Sequence, residues 1–172
     1  MTKTIEDIRI YVACLASYNN GILHGRWIDA AQGVDGMQDA INAMLEASPI
    51  EDAEEWAIHD YEGFGSIRLS EYAGLESVAE LAEFIGENSD LGVAVHEYYS
   101  DLHEARTALT DQYIGAYSSV EDFAQEITED SGEIPERLQY YIDYERMARD
   151  MLICDIIAFE LSHDEVHLFW QR

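Results

Sequence analysis

Residues Ile8–Ile28 read IRIYVACLASYNNGILHGRWI, two apolar arms on either side of a turn. Ile8–Leu15 is rich in β-branched and aromatic residues, which suit a pleated, half-buried surface and predict a strand. Tyr18-Asn19-Asn20-Gly21 is a turn signal, because Asn and Gly tolerate the positive φ that a tight reversal needs. Ile22–Ile28 predicts the returning strand of a hairpin. The period then lengthens. Across Gly33–Ala47, Val34, Met37, Ile41, Met44 and Leu45 fall on one face of a helix, and Pro49 closes it. Trp56–Tyr61 (WAIHDY) predicts a short third strand. A small α+β unit over residues 1–64 is expected.

From Ser66 onward helical spacing dominates. Ser77-Val78-Ala79-Glu80 has the form of a capping box ahead of Leu81, Phe84 and Ile85. A second amphipathic run, Gly92–Leu109, carries Val95, Tyr98, Tyr99 and Leu102. SVAELAEFIGENSD at 77–90 echoes SVEDFAQEITEDSG at 119–132, a similarity that two capped helices generate without any solenoid. Ile134-Pro135-Glu136 opens a third helical stretch, with proline near its first turn, running to about Met151. IIAFELSHDEVHLFWQR at the end predicts two strands around a Ser-His-Asp-Glu turn. The fold class expected is α+β and elongated. Its units are a small α+β unit (1–64), a helical acidic unit (65–112) and a C-terminal α+β unit (113–172).

Charge sets the function classes. The chain has 36 Asp and Glu against 9 Lys and Arg, a net of −27. Residues 1–28 hold two acids and three bases, a net of +1; residues 29–104 hold 19 acids and only Arg68, a net of −18. The remaining 15 acids and five bases give −10. Such a field repels nucleic acid and attracts surfaces built to hold phosphate. Duplex DNA carries one charge per ~1.7 Å of axis, so the net charge matches about 45 Å of duplex, and a symmetric dimer about 90 Å. A compact sphere of 19.6 kDa is shorter than that, so a DNA-like charge array calls for an elongated fold. A solvated acidic coat is the alternative reading of the same charge.

Hydrophobic content of 48% is ample for cores. Cys14 and Cys154 sit in apolar settings and read as two buried thiols of a cytoplasmic protein, not as a disulfide framework. No leader or membrane span is expected at MTKTIEDIRIYVACL or elsewhere.

Catalytic constellations are weak. His163-Asp164-Glu165-Val166-His167 spaces two histidines as on a metalloprotease helix, but its second position is Asp and its flanks read as strands. His59-Asp60-Tyr61-Glu62 places a histidine beside carboxylates, which chance explains in so acidic a chain. Neither Gly33-Val34-Asp35-Gly36 nor Gly63-Phe64-Gly65 forms a phosphate cradle. No loop has EF-hand spacing. One Lys and eight Arg, without a dense cluster, disfavour direct nucleic-acid binding. No metal or cofactor is expected.

Three blocks in order resemble the ArdA-type antirestriction proteins. Ile10-Tyr11-Val12-Ala13 through Tyr18-Asn19-Asn20-Gly21 to Gly25-Arg26-Trp27-Ile28 is similar to that family's opening. Ala57-Ile58-His59-Asp60-Tyr61-Glu62 resembles the end of its first unit. Ile134-Pro135, then Leu138-Gln139-Tyr140-Tyr141-Ile142-Asp143-Tyr144-Glu145, with Arg149-Asp150, resembles its C-terminal segment. The resemblance implies a DNA mimic encoded by mobile elements such as plasmids and conjugative transposons. It also implies occupation of the DNA-binding cleft of type I restriction-modification enzymes, an elongated chain of three small units, dimerisation through the C-terminal unit, and no catalytic residues.

Combined with the residue reading, this assigns partner contacts to Asp35, Asp39, Glu46, Glu51, Asp52, Glu54, Glu55, Glu76, Glu80, Glu83, Glu87 and Asp90. Glu121, Asp122, Glu126, Glu129 and Asp130 continue the track. For each, a solvated acid without a partner is the competing reading. Tyr140, Tyr141, Tyr144 and Met147 form an aromatic-rich group, read first as core packing and second as a dimer interface. An acidic adaptor or chaperone-like module for another basic protein is the alternative function.

Overall fold

A computed structural model of the chain describes residues 8–172. Lys3, Glu6 and Asp7, counted in the charge of the opening segment, lie outside the described residues. The fold is α+β, and the chain divides into two compact units, one running to Glu97 and the other from Tyr98.

The first unit is built on β1 (Arg9–Cys14), β2 (Gly25–Asp29) and β3 (Trp56–Glu62), an antiparallel sheet in the order β2-β1-β3. The register pairs Arg9 with Asp29 and Ala13 with Gly25, so the expected hairpin forms. Its connection differs from the two-strand reading. Leu15–Asn19 is a helical turn, α1, and the returning strand begins only at Gly25. Ser17 is the reason. Fully buried, it lies 3.0 Å from the Ser48 hydroxyl, so the turn folds inward onto the end of the next helix and shortens both strands. Gly21 takes φ 72, as the Asn-Gly signal requires.

Helix α2 (Gly33–Glu46) buries Met37, Ile41 and Met44, with Val34 and Leu45 at the margins of that face. It lies against β1 and β2. Ile10, Val12 and Cys14 of β1, with Ile8 just before it, are fully buried, and Ala13 is buried as well. Backbone from Ser70 to Tyr72 covers the outer edge of β3, where Ile58 N–H donates to the Glu71 carbonyl at 2.9 Å.

Helix α3 (Leu75–Tyr99) is two helical segments meeting at Ser89, whose φ of 52 and ψ of −140 are non-helical. The helix starts at Leu75, so Ser77 lies inside the first turn and the capping box expected there is absent. Burial of Leu75 draws the start forward, and Val78 N–H donates to the Gly74 carbonyl at 3.1 Å. The run expected over Gly92–Leu109 is also interrupted. Ser100 takes φ 56, and Asp101 starts α4 (Leu102–Thr107) by accepting the Glu104 N–H at 2.8 Å. Tyr98, expected on the buried face, is 55% exposed.

The second unit carries β4 (Tyr113–Tyr117), β5 (Ile156–Ser162) and β6 (Glu165–Trp170), antiparallel in the order β4-β6-β5. His163-Asp164 turns between β5 and β6, as the sequence predicts. Helices α5 (Val120–Asp130) and α6 (Tyr144–Cys154) pack on each other and on this sheet around Phe123, Ala124, Met151, Ile156, Val166 and Leu168. The single helix expected from Pro135 to Met151 is two elements. A 3-10 segment, Glu136–Tyr141, precedes Asp143, whose carboxylate accepts the Arg146 N–H at 2.9 Å and starts α6 afresh. Cys14 is buried, but Cys154 is exposed, contrary to expectation. Tyr144, Met147, Ala148 and Met151 carry the packed face of α6, which turns Ile153 and Cys154 away from it.

The two copies of the Ser-Val echo therefore differ physically. Ser119 caps α5 by accepting the Asp122 N–H at 3.1 Å, whereas Ser77 is an interior residue. Replacing Ser119 by Ala should cost about 1 kcal/mol, and Ser77→Ala less than about 0.5 kcal/mol, in chemical denaturation of each variant. Equal losses would contradict the cap assignment.

Candidate acidic binding surface

Each acidic helix places its carboxylates by periodicity. At about 100° per residue, Asp35, Asp39 and Glu46 fall within an arc of about 40° on α2, opposite Met37, Ile41 and Met44. All three acids are exposed. Glu76, Glu80, Glu83 and Glu87 likewise share an arc of about 60° on α3, opposite Val78, Ala82 and Ile85. They too are exposed, and Asp90 is exposed beyond the Ser89 break. Glu51, Asp52, Glu54 and Glu55 are exposed in the segment entering β3, where Asp52 adopts a left-handed φ of 57.

On α5, Asp122, Glu126 and Glu129 form a third stripe, with Asp130 at its border. These four are exposed, and Glu129 accepts a hydrogen bond from Gln125 at 2.8 Å. Glu121 differs from the other candidates. It sits on the flank of the helix, about 100° from Asp122, and is half-buried.

The α3 and α5 stripes supply a carboxylate every ~5.5 Å of helix axis, from residue spacings of three and four at 1.5 Å rise, and the α2 stripe, with spacings of four and seven, is sparser. One DNA strand carries a charge every ~3.4 Å. A single stripe is therefore too sparse to imitate even one strand, and stripes must act together. Nine bases cannot neutralise 36 acids in any fold. Two of those bases are spent locally, Arg9 on Glu62 and Arg149 on Glu145, each at 2.7 Å.

A family model for antirestriction protein (ArdA) matches residues 10–164, nearly the whole chain. The chain belongs to the ArdA antirestriction family. No curated protein matches it.

Within this ArdA chain the aromatic group divides. Tyr144 and Met147 pack against the core of the second unit, whereas Tyr140 and Tyr141 are 93% and 84% exposed. Core packing is thus overturned for that pair, because the 3-10 segment carries them off the packed face of α6.

The decoy motifs resolve into strand and turn geometry. His167 lies in β6, with its Nδ1 2.8 Å from the Tyr113 hydroxyl and its Nε2 3.0 Å from Glu165; His163 is exposed in the turn. His59 on β3 faces Glu71 at 3.5 Å. Among the described residues no group of His, Cys, Asp and Glu is arranged to hold a metal ion. No helix there is long and apolar enough to cross a membrane.

Sequence reading missed one acidic groove of this ArdA chain. Tyr117, Ser118, Asp122, Glu126, Asp164 and Glu165 line a cavity of about 610 Å³ in the second unit. The β4–β6 register, with Tyr117 opposite Val166, brings the hairpin acids beside α5. That pairing joins residues far apart in sequence, and the only local signal was the Ser-His-Asp-Glu turn itself.

The groove has an electrostatic signature. Burial pushes the Tyr117 phenol above its ordinary range, and Glu126 and Asp130 push it further in the same direction. Burial comes first for Tyr99 and Tyr113 too, with neighbouring charge adding to each. Raised folded values mean that this stability is complete below pH ~10 and is lost as pH rises through the folded values. Glu126→Gln should bring Tyr117 ionisation closer to the ordinary range, read by phenolate absorbance against a Tyr117→Phe background. An unchanged titration would remove Glu126 from the groove.

Proposed function

We propose that this antirestriction protein is a DNA mimic that occupies the DNA-binding cleft of type I restriction-modification enzymes and blocks their action on incoming DNA. The observation that carries the reading is the disposition of its acids. In a chain of net charge −27, the candidate carboxylates of α2, α3 and α5 lie in exposed stripes on faces opposite the core, with Glu121 alone half-buried, and Glu51, Asp52, Glu54 and Glu55 are exposed in the segment before β3. Membership of the ArdA family gives that charge its target class.

The chemistry is physical, with no bond made or broken. Basic side chains that hold phosphate meet carboxylates in similar array, and association is steered by the long-range field. Inhibition is therefore fast, strongly salt-dependent and indifferent to the DNA sequence the enzyme recognises. Tyr140 and Tyr141 supply the exposed aromatic surface for a homodimer, which doubles the track and links two contacts. Because the acids sit in water, each contributes little alone.

A restriction assay tests the reading. Cleavage of unmodified DNA by a purified type I enzyme is followed against inhibitor concentration. Single replacements such as Asp39→Ala or Glu87→Ala should weaken inhibition less than about threefold. Replacing Glu76, Glu80, Glu83 and Glu87 together by Gln should weaken it at least about tenfold, the effect of several exposed pairs combined. A single exposed acid whose loss abolishes inhibition in a folded variant would contradict the distributed array.

A further inference from the structure

We infer that a trough in the first unit, between the Ala30–Val34 segment and α3, seats an arginine-bearing segment of the target enzyme; this rests on the DNA-mimic reading above. Two cavities make the trough. One, of about 480 Å³, is floored by Ala30, Ala31, Val34 and Ala79 and edged by Glu76, Glu80 and Glu83. The other, of about 300 Å³, is lined by Trp56, Tyr72 and Gln38 and shares Val34 and Glu76 with the first. The shared residues join an aromatic end to an acidic end across one apolar floor.

Charge complementarity selects the occupant. Three carboxylates on one wall exclude an anion. A metal ion is disfavoured, because no metal-holding group of side chains exists among the described residues. A purely apolar segment would leave the acidic wall unused. A long cationic side chain uses both surfaces, with its methylene stem on the alanine and valine floor and its head on the glutamates. Arginine suits the site better than lysine, since its planar guanidinium binds carboxylate in bidentate fashion and stacks on aromatic faces such as Trp56 and Tyr72. Asp35 and Glu76 lie in the first turns of α2 and α3, where they answer the helix dipoles, and Glu80 and Glu83 carry the acidic wall one turn further along α3.

This surface also resembles DNA in a way that charge alone does not. A DNA-binding arginine rests its stem on apolar sugar while its head meets phosphate. The trough offers the same pairing of an apolar bed with an anionic rim. The combined volume exceeds one side chain, so a short segment enters.

Filling the trough without changing charge separates this proposal from a uniform acidic field. Ala79→Phe and Ala31→Trp each add neutral bulk to the floor; Ala31 is exposed, so its variant keeps the test valid should Ala79→Phe fail to fold. Release of labelled duplex from the DNA-recognising core of a type I methyltransferase is the readout. Each folded filled variant should be weaker by about tenfold or more, as for a blocked interface anchor. Glu133→Gln, an exposed acid of the second unit outside both the trough and the assigned contacts, should change release less than about threefold. Wild-type protein that fails to release duplex would overturn the mimic reading and the trough together. Active wild type with equally active filled variants would overturn the trough alone. Filled variants that lose self-association instead would identify a second copy as the occupant and overturn the assignment. As a direct probe, a tetra-arginine peptide should shift the Ala31 and Ala79 methyl resonances at lower concentration than tetra-lysine; equal behaviour would overturn the preference for arginine.

Discussion

Mutual repulsion among uncompensated carboxylates is the constraint that the rest of this molecule answers. Like charges three or four residues apart on a helix cost a few tenths of a kcal/mol each, and the acidic helices carry such pairs repeatedly. The cost stays bearable because every stripe faces water, where the dielectric is high and salt screens. Apolar burial on the opposite face then holds the helix in place: Met37, Ile41 and Met44 under α2, Val78, Leu81, Phe84 and Ile85 under α3, Phe123 and Ala124 under α5. The acids decorate helices that the core has already fixed.

The two sheets make the helices possible. Each is a three-stranded antiparallel platform with its central strand paired on both sides. β1 and β6 are those central strands, the first burying Ile10 and Val12 to Cys14, the second Val166, Leu168 and Phe169. Helices laid on such platforms present their outer faces without needing a further layer.

Much of this was legible in the residues because it rests on local periodicity. The hairpin of β1 and β2, the apolar face of α2, the start of β3 and the β5–β6 turn are all written in spacings of two or of three to four. Capping was half legible: Ser119 caps its helix, while the matching Ser77 does not, because burial of Leu75 outweighs the cap signal. What failed depends on tertiary placement. Ser17 folds a helical turn into the expected hairpin through contact with Ser48, 31 residues away. Asp143 divides what composition alone joins, and so exposes Tyr140 and Tyr141. The groove at Tyr117 and the trough beneath α3 are invisible locally, since each needs two segments distant in sequence. The acids themselves were easy to find; which of them share a wall was not.

The central claim is that protein carboxylates stand where DNA phosphates would. Its most direct test is displacement of a prebound, labelled cognate duplex from the DNA-recognising core of a type I methyltransferase, at two salt concentrations, beside an unrelated protein of similar pI. The account predicts release by this protein alone at near-stoichiometric amounts, weakening steeply as salt rises. Simultaneous binding of duplex and protein to the same core, or equal release by the unrelated acidic protein, would contradict it.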